Sequence, residues 1–331
     1  MEPIYIISEK ELVSIVTLDE SVIEAIEKGF SELQKGNATV PPIMMIPVPE
    51  KKGEVDIKSA YISGIDRMAI KVASGFFENS TLGLPSGSGQ MLVLSSETGF
   101  LEGVLLDNGY LTHVRTGAAG ASAAKYLAPK DCSNAGVIGS GMQARFQMRG
   151  LSLVRDVKTI RMFSLDPEEA RDAYVREMSA ELGVEVLKAA SAEEVVRESS
   201  VVVTTTPARK GYIKAEWLHP GLHITSMGAD TEEKQELEAE VLGRADLLAC
   251  DLKSQVFRLG EIRSGIEAGI ITKDSPIVEL GELINGLHPG RQDEEQITVC
   301  DLTGVGVQDT MIAIKAYELA VKKNLGIKIE R

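Results

Sequence analysis

The chain has 331 residues, more than the roughly 100–200 that one domain usually holds, so two domains with ample core are expected. With 44% hydrophobic and 25% charged residues and a mean hydropathy near zero, its composition excludes disordered, collagen-like and disulfide-scaffold classes. A formal charge of −14 argues against a nucleic-acid backbone as partner, because such binding uses Lys and Arg to neutralise phosphates.

In SEKELVSIVTLDESVIEAIEKGFSELQKGN, apolar residues such as Val22, Ile23, Ile26 and Phe30 recur at helical spacing and Gly36 closes the pattern, which predicts two opening helices. PPIMMIPVPEKKGEVDIKSAYIS, MAIKVASGF and GQMLVLSSETGFLEGVLLD follow, β-rich runs separated by Gly, Pro and charged turns, as in a mostly antiparallel sheet. LTHVRTGAAGASAAKYLA then reads as a connecting helix whose small residues let its backbone approach a neighbour closely.

After Pro129 strands and helices alternate. AGVIG leads to MQARFQMRGLSLV, TIRMFSL to PEEARDAYVREMSAELG, VEVLKA to SAEEVVRES, and SVVVTTT and HITSMG precede a helix over EKQELEAEVLGRA and the strand DLLACD. Such alternation specifies a parallel sheet covered by helices on both faces. Ser191 and Glu194 form a predicted capping box. DTMIAIKAYELAVKKNLG is an amphipathic helix ended by Gly326, expected to return to the first domain. The fold class is therefore α/β: a Rossmann-type parallel-sheet domain plus an α+β domain.

The turn Gly139-Ser140-Gly141 with Ala144 is the densest chemical signal. Out of context a GxGxxA turn is weak evidence, since any tight strand-to-helix turn favours glycine. Here a strand leads in, a helix leads out, and the next strand ends near Asp166, close to the acidic position about 20 residues on that binds an adenosine ribose. Gly139 permits the turn, Gly141 leaves room for a pyrophosphate, and Ala144 lets the helix pack on the strand. The helix N-terminus offers free N–H groups to the anion. Thr204–Thr206 and Ser226–Asp230 fall at the carboxyl edge of the same sheet, where ligands bind. FSLDPEEA supplies Asp166 and no adjacent Arg, which leans to NAD and leaves NADP open; the competing role for Asp166 is to cap the helix opened by Pro167.

Three polar residues carry two readings each. Lys71, on one strand face with Ala69 and Ala73, can hold a carboxylate or exchange a proton, or it lies on a solvated face. Arg115, opening the small-residue helix, can grip a carboxylate or phosphate in bidentate fashion, or make a surface ion pair. Asp230, just past a strand end, lies near the expected nicotinamide position, or caps a helix before Thr231.

Cys132, Cys250 and Cys300 are far apart without metal-ligand spacing, and their odd number fits a reducing cytoplasm; they are expected as small buried apolar groups. His113, His219, His223 and His288 show no HExxH-like spacing and read as structural, so no metal is expected. Glu9, Lys10 and Glu11 interrupt the N-terminal stretch, which does not read as a signal peptide. No uncharged run approaches the roughly 18 apolar residues of a spanning helix, so a cytoplasmic protein without a membrane partner is expected.

Taken together, AIKV with Lys71, GLPSGSG, SETGFLEGVLLD, LTHVRTGAAGA, GVIGSGMQARFQ, VVVTTTP, GAD followed by KQEL, and GRQDEEQITVCDLTGVGVQD resemble the ornithine cyclodeaminase/mu-crystallin family over nearly the whole chain. LLDNGYLTHVRT and ITVCDLTGVGVQDT look most like the cyclodeaminase-like proteins of ectoine utilisation. The resemblance implies a homodimer, with residues 1–125 as substrate and dimerisation domain, 126–303 as NAD(P)-binding domain, and 304–331 as a helix returning to the first domain. It implies an NAD(P)-dependent enzyme moving hydride at an amine or imine carbon of a small amino acid, either an ornithine cyclodeaminase-like lyase or a CH–NH oxidoreductase. The rival it implies is a mu-crystallin-like protein that binds dinucleotide and a small ligand without turnover.

By the same resemblance Lys71 binds substrate and takes part in catalysis, Asp230 is the acid-base group, and Arg115 lies near substrate carboxylate and cofactor. Gln143, Lys234, Ser86, Met142, Thr205 and Thr116 match cofactor contacts, and Thr303 the wall of the substrate pocket. Two departures stand out. No arginine lies between Pro41 and Val48, where many members grip the carboxylate, and the usual DSVG is DLTG, with Leu302 at the place of a serine. Strict ornithine specificity is therefore not expected.

Overall fold

Strand β1 (Ile4–Ser8) leads into helix α1 (Glu9–Ile15), and Asp19 caps α2 (Glu20–Gln34) by accepting the Val22 N–H at 2.9 Å. Val22, Ile23, Ile26 and Phe30 are all buried, as their spacing requires, and the chain leaves the helix through Gly36 at φ +77°. The strands β2 (Ala38–Thr39), β3 (Met44–Val48), β4 (Gly53–Ile62), β5 (Arg67–Phe76), β6 (Gly87–Ser95) and β7 (Leu101–Leu106) follow. The pairs β3–β4, β4–β5, β5–β6 and β6–β7 are antiparallel, as expected. Helix α3 (Tyr110–Leu127) comes next. Arg115 lies in its second turn rather than at its opening, because the helix starts at Tyr110.

The structure, a computed structural model, describes residues 3–76 and 78–331. The chain divides into two compact units, Met1–Arg115 with Val305–Arg331, and Thr116–Gly304. The division falls within α3, ahead of the expected 125/126 boundary.

The second unit holds β8 (Asn134–Ile138), α4 (Met142–Val154), β9 (Thr159–Phe163), α5 (Glu168–Leu182), β10 (Glu185–Lys188), α6 (Ala192–Arg197) and β11 (Val201–Thr204). It continues with β12 (Arg209–Ile213), β13 (His223–Ser226), β14 (Gln235–Leu237), α7 (Ala239–Arg244), β15 (Leu247–Cys250), α8 (Lys253–Val256) and α9 (Gly260–Glu267). It closes with β16 (Ile277–Glu279), α10 (Leu280–Ile284) and β17 (Thr298–Asp301). Among the described residues, eight strands form a parallel sheet in the order β10-β9-β8-β11-β13-β17-β15-β16. The order reverses between β8 and β11, and sheets of this kind bind ligands beyond the carboxyl ends at that switch point. Two apolar clusters, one centred on Val137, Ile160 and Met178 and the other on Ile224, Val241 and Val299, form its core. The small residues of α3 do serve close packing: a Cβ on Gly150 of α4 would lie 2.4 Å from the Gly117 carbonyl oxygen.

One predicted helix forms only in its second half. The stretch EKQELEAEVLGRA gives a turn, the short strand β14 and only then α7, because Glu236 and Leu237 turn inward and are fully buried while β14 pairs with β12. The capping box at Ser191 is half realised: Ser191 Oγ accepts the Glu194 N–H, but the Glu194 carboxylate takes the N–H of Ala190.

The last helix, α11 (Gly306–Lys322), belongs to the first unit and packs on α2, β4 and β5. A Cβ on Gly306 would sit 2.1 Å from the Ser59 carbonyl oxygen, so glycine is required for this approach. The helix stops at Lys322, before Gly326, and strand β18 (Ile327–Ile329) follows. Sequence periodicity did not announce β1 or β18, which extend the first unit's sheet to the order β18-β1-β7-β6-β5-β4-β2.

Candidate active site

In the first unit, β5 delivers Lys71, α3 delivers Arg115, and α11 brings Asp309 to both. Lys71 Nζ and Arg115 Nε each donate to Asp309 Oδ1 at 2.9 Å. Arg115 Nη1 also donates to Gln308 Oε1 at 3.3 Å, and the same oxygen accepts the Val305 N–H at 2.7 Å. All three charged groups are buried, Lys71 at 2% exposure, Arg115 at 5% and Asp309 at 0%. The solvated strand face considered for Lys71 and the surface ion pair considered for Arg115 are therefore both wrong: α11 covers that face of the sheet.

Lys58, the register partner of Lys71 on β4, is buried too. Burial lowers the Lys71 ammonium to about 7, with Arg115 and Lys58 adding to the depression and Asp309 opposing it. Burial works to raise the Asp309 carboxyl, yet Arg115 and Lys71 hold it below the usual range. This group therefore sets a lysine poised near neutrality and a guanidinium on a common carboxylate.

In the second unit, Gly139 has φ +120°, and a Cβ there would lie 2.3 Å from Thr205 Oγ1, which donates to the Ile138 carbonyl at 3.0 Å. Glycine is thus needed both for conformation and for space across the β8/β11 switch point. A Cβ on Gly141 would meet nothing within 4 Å, so the backbone there faces open room. Gly141 is the N-cap of α4, which has no side-chain cap, and Met142, the first helical residue, is exposed. Uncapped N–H groups beside open space suit a pyrophosphate. Gln143 lies half-buried in the same first turn.

Asp166 does not cap α5, whose N-cap is Pro167. Its carboxylate accepts the hydroxyls of Ser140 and Ser164, and these bonds, Ser140 foremost, hold it below the usual carboxylate range. The acidic group is therefore tied to the glycine turn itself. Asp230 caps no helix either, since residues after it form a turn; Lys234 Nζ donates to it at 2.7 Å.

Thr116 and Thr303 are buried, and Ser86 is exposed in the turn before β6. The Thr116 carbonyl accepts from Gln147 Nε2 at 2.8 Å. Thr303 donates its N–H to Asp251 at 2.8 Å, and its hydroxyl accepts from Gln255 Nε2 at 2.8 Å. The region where the arginine is missing forms β3, with Met44, Met45 and Ile46 exposed. The three cysteines are free and buried, and no group of His, Cys, Asp or Glu among the described residues is arranged to hold a metal.

Sequence reasoning missed Gln308 and Asp309, although a Gln-Asp pair inside the largely apolar VGVQDTMIAI was a signal. It also missed Glu236 and Glu261, both buried at the sheet's carboxyl edge. Burial raises both carboxyls, Glu261 to about 8, against the hydrogen bonds they accept.

The pattern of residues and the two-unit architecture agree with a family model, ornithine cyclodeaminase/mu-crystallin, that matches residues 5–324. The chain belongs to this family. It is 44% identical over 331 residues to an uncharacterized cyclodeaminase of Sinorhizobium fredii, covering 100% of both chains. Among solved structures it resembles the Δ1-pyrroline-2-carboxylate reductase of Thermococcus litoralis in complex with NADH and L-proline (31% identity, TM-score 0.93, 98% of this chain and 100% of that one). An archaeal alanine dehydrogenase dimer with bound NAD is similar as well (36% identity, TM-score 0.91, 99% of each chain).

Proposed function

We propose that this family member is an NAD(H)-dependent enzyme that transfers hydride at the amine- or imine-bearing carbon of a small α-amino acid, by cyclising deamination or by the related reduction of an imine. The observation that carries this reading is the buried Lys71–Arg115–Asp309 group. Within it two cations share one anion, and the positive charge left over is balanced by one substrate carboxylate. The NADH and L-proline bound by the pyrroline-carboxylate reductase, and the NAD bound by the alanine dehydrogenase, support the pairing of dinucleotide with small amino acid.

When bound, the nicotinamide accepts or returns hydride. Lys71 and Arg115 fix the carboxylate and so orient the reacting carbon, an effect that supplies much of the rate. Asp230 takes and returns the proton of the substrate nitrogen. Gly139, Gly141, Met142 and Gln143 receive the pyrophosphate, and Asp166 the adenosine ribose, which favours NAD over NADP. Thr205, Lys234, Ser86, Arg115 and Thr116 complete the cofactor contacts, and Thr303 the pocket wall. The absence of arginine from β3 argues for a substrate other than ornithine alone. The enzyme is proposed to act as a homodimer, a reading supported by the dimer in the archaeal alanine dehydrogenase structure. The three buried free cysteines fit the reducing cytoplasm.

The test is a screen of amino acids with NAD⁺, and of cyclic imines or of keto acids with ammonia and NADH, following both absorbance and ammonia. Steady ammonia release without net NADH identifies a cyclodeaminase, and net NADH change a reductase or dehydrogenase. Binding of NADH without turnover across the panel refutes the proposal. Asp230→Asn should bind NADH and lose turnover; wild-type-like turnover removes the acid-base role.

A further inference from the structure

Ser226 ends β13, and the chain then runs through Gly228 and Asp230 to β14, where Glu236 turns back toward that strand end. Glu236 is fully buried, and five donors converge on its carboxylate. Oε1 accepts the Thr206 N–H at 2.6 Å, the Thr206 hydroxyl at 2.7 Å and the Tyr212 hydroxyl at 3.0 Å. Oε2 accepts the Thr204 hydroxyl at 2.7 Å and the Gly228 N–H at 2.8 Å. A Cβ on Gly228 would lie 2.2 Å from the Thr206 carbonyl oxygen and 2.5 Å from Glu236 Oε2, so only glycine fits against this carboxylate.

Glu261 secures the other side. Its Oε1 accepts the Glu236 N–H at 2.7 Å and the Ser226 hydroxyl at 3.1 Å, and its Oε2 accepts the Leu237 N–H at 3.1 Å. The segment 228–234 thus has its first residue held by the Glu236 side chain and its far end held by the Glu236 backbone. The Asp230–Lys234 pair lies between these two anchors.

We infer that Glu236 is a positioning residue for Asp230: its carboxylate clamps the loop after β13 to the loop after β11 and so fixes where Asp230 presents its proton-transfer group. This rests on the acid-base role proposed for Asp230. The chemistry of the clamp is specific to a carboxylate, because each oxygen receives a backbone N–H, from Thr206 and from Gly228. A glutamine has one acceptor oxygen, and whichever way its amide turns, one of those N–H groups meets an NH₂.

The experiment compares wild type, Glu236→Gln, Tyr212→Phe and Asp230→Asn by NADH titration, steady-state kinetics on the substrate found in the screen, and hydrogen exchange of the ligand-free protein. For Glu236→Gln the expected result is faster exchange confined to 227–234, NADH affinity within about threefold of wild type, and kcat lower by about ten- to a hundredfold, the scale of a misplaced catalytic group. Tyr212→Phe removes one donor and should give the same localised exchange change with a smaller loss of kcat. If Glu236→Gln does not fold, Tyr212→Phe decides the matter. Unchanged exchange at 227–234, or undiminished kcat, in the deciding variant overturns the inference. Undiminished kcat in Asp230→Asn while Glu236→Gln shows the exchange change would instead overturn the role of Asp230.

Discussion

Asp309→Asn isolates the charge that keeps Lys71 able to hold a carboxylate. The variant keeps an oxygen for Arg115 and removes the anion 2.9 Å from Lys71 Nζ. A hydrogen bond to a charged group is worth about 1.5–3 kcal/mol, and one unit of pKa is about 1.4 kcal/mol. Lys71, already lowered to about 7 by burial, should therefore fall by a further one to two units, approximately. At pH 7 its ammonium fraction drops from about one half to between about a tenth and a hundredth, so kcat/KM should fall roughly 5- to 50-fold. The descending alkaline limb of the kcat/KM profile should move to lower pH by the same one to two units, approximately, with kcat at saturating substrate less affected. The assay is that profile for both proteins on one amino-acid or imine substrate. An alkaline limb unmoved in Asp309→Asn would refute the idea that this carboxylate sets the charge of Lys71.

Other consequences follow from the same geometry. Because the folded-state value of Lys71 is depressed from 10.5 to about 7, the unfolded chain carries a proton that the folded chain lacks across that window, and stability from this site rises with pH. Wild type should therefore gain about 2–3 kcal/mol relative to Lys71→Met between about pH 7.5 and 9.5, read from denaturant unfolding, and a constant difference would contradict it. Gly139→Ala places a methyl at φ +120° against Thr205 Oγ1 and should cost about 1–3 kcal/mol of stability. The same variant should weaken NADH binding by about tenfold or more in a fluorescence titration; normal NADH affinity would separate this turn from the cofactor.

What could be read from the sequence was what is local. The Gly139–Ala144 turn announces itself because strand, glycines and helix are contiguous, and each glycine's reason is a property of its own backbone. Lys71 was ambiguous for the opposite reason: its partner Asp309 lies 238 residues away, and no local pattern says which helix will cover β5. The stretch around Glu236 was misread because its acidic, helix-favouring residues suit an exposed helix, whereas hydrogen-bond donors from two other loops draw Glu236 inward. Asp166 stands at a strand end in the sequence, but its bonds to Ser140 and Ser164 become visible only in three dimensions.

The first unit is assembled from both ends of the chain, and this has a consequence during synthesis. The second unit is contiguous from Thr116 to Gly304 and can collapse while the ribosome is still working. Until α11 emerges, β5 lacks its cover, and Lys71 and Arg115 lack the anion that makes their burial tolerable. The flanking unit is therefore completed after the second, and a chain released short of Asp309 carries two unbalanced cations where a core should close.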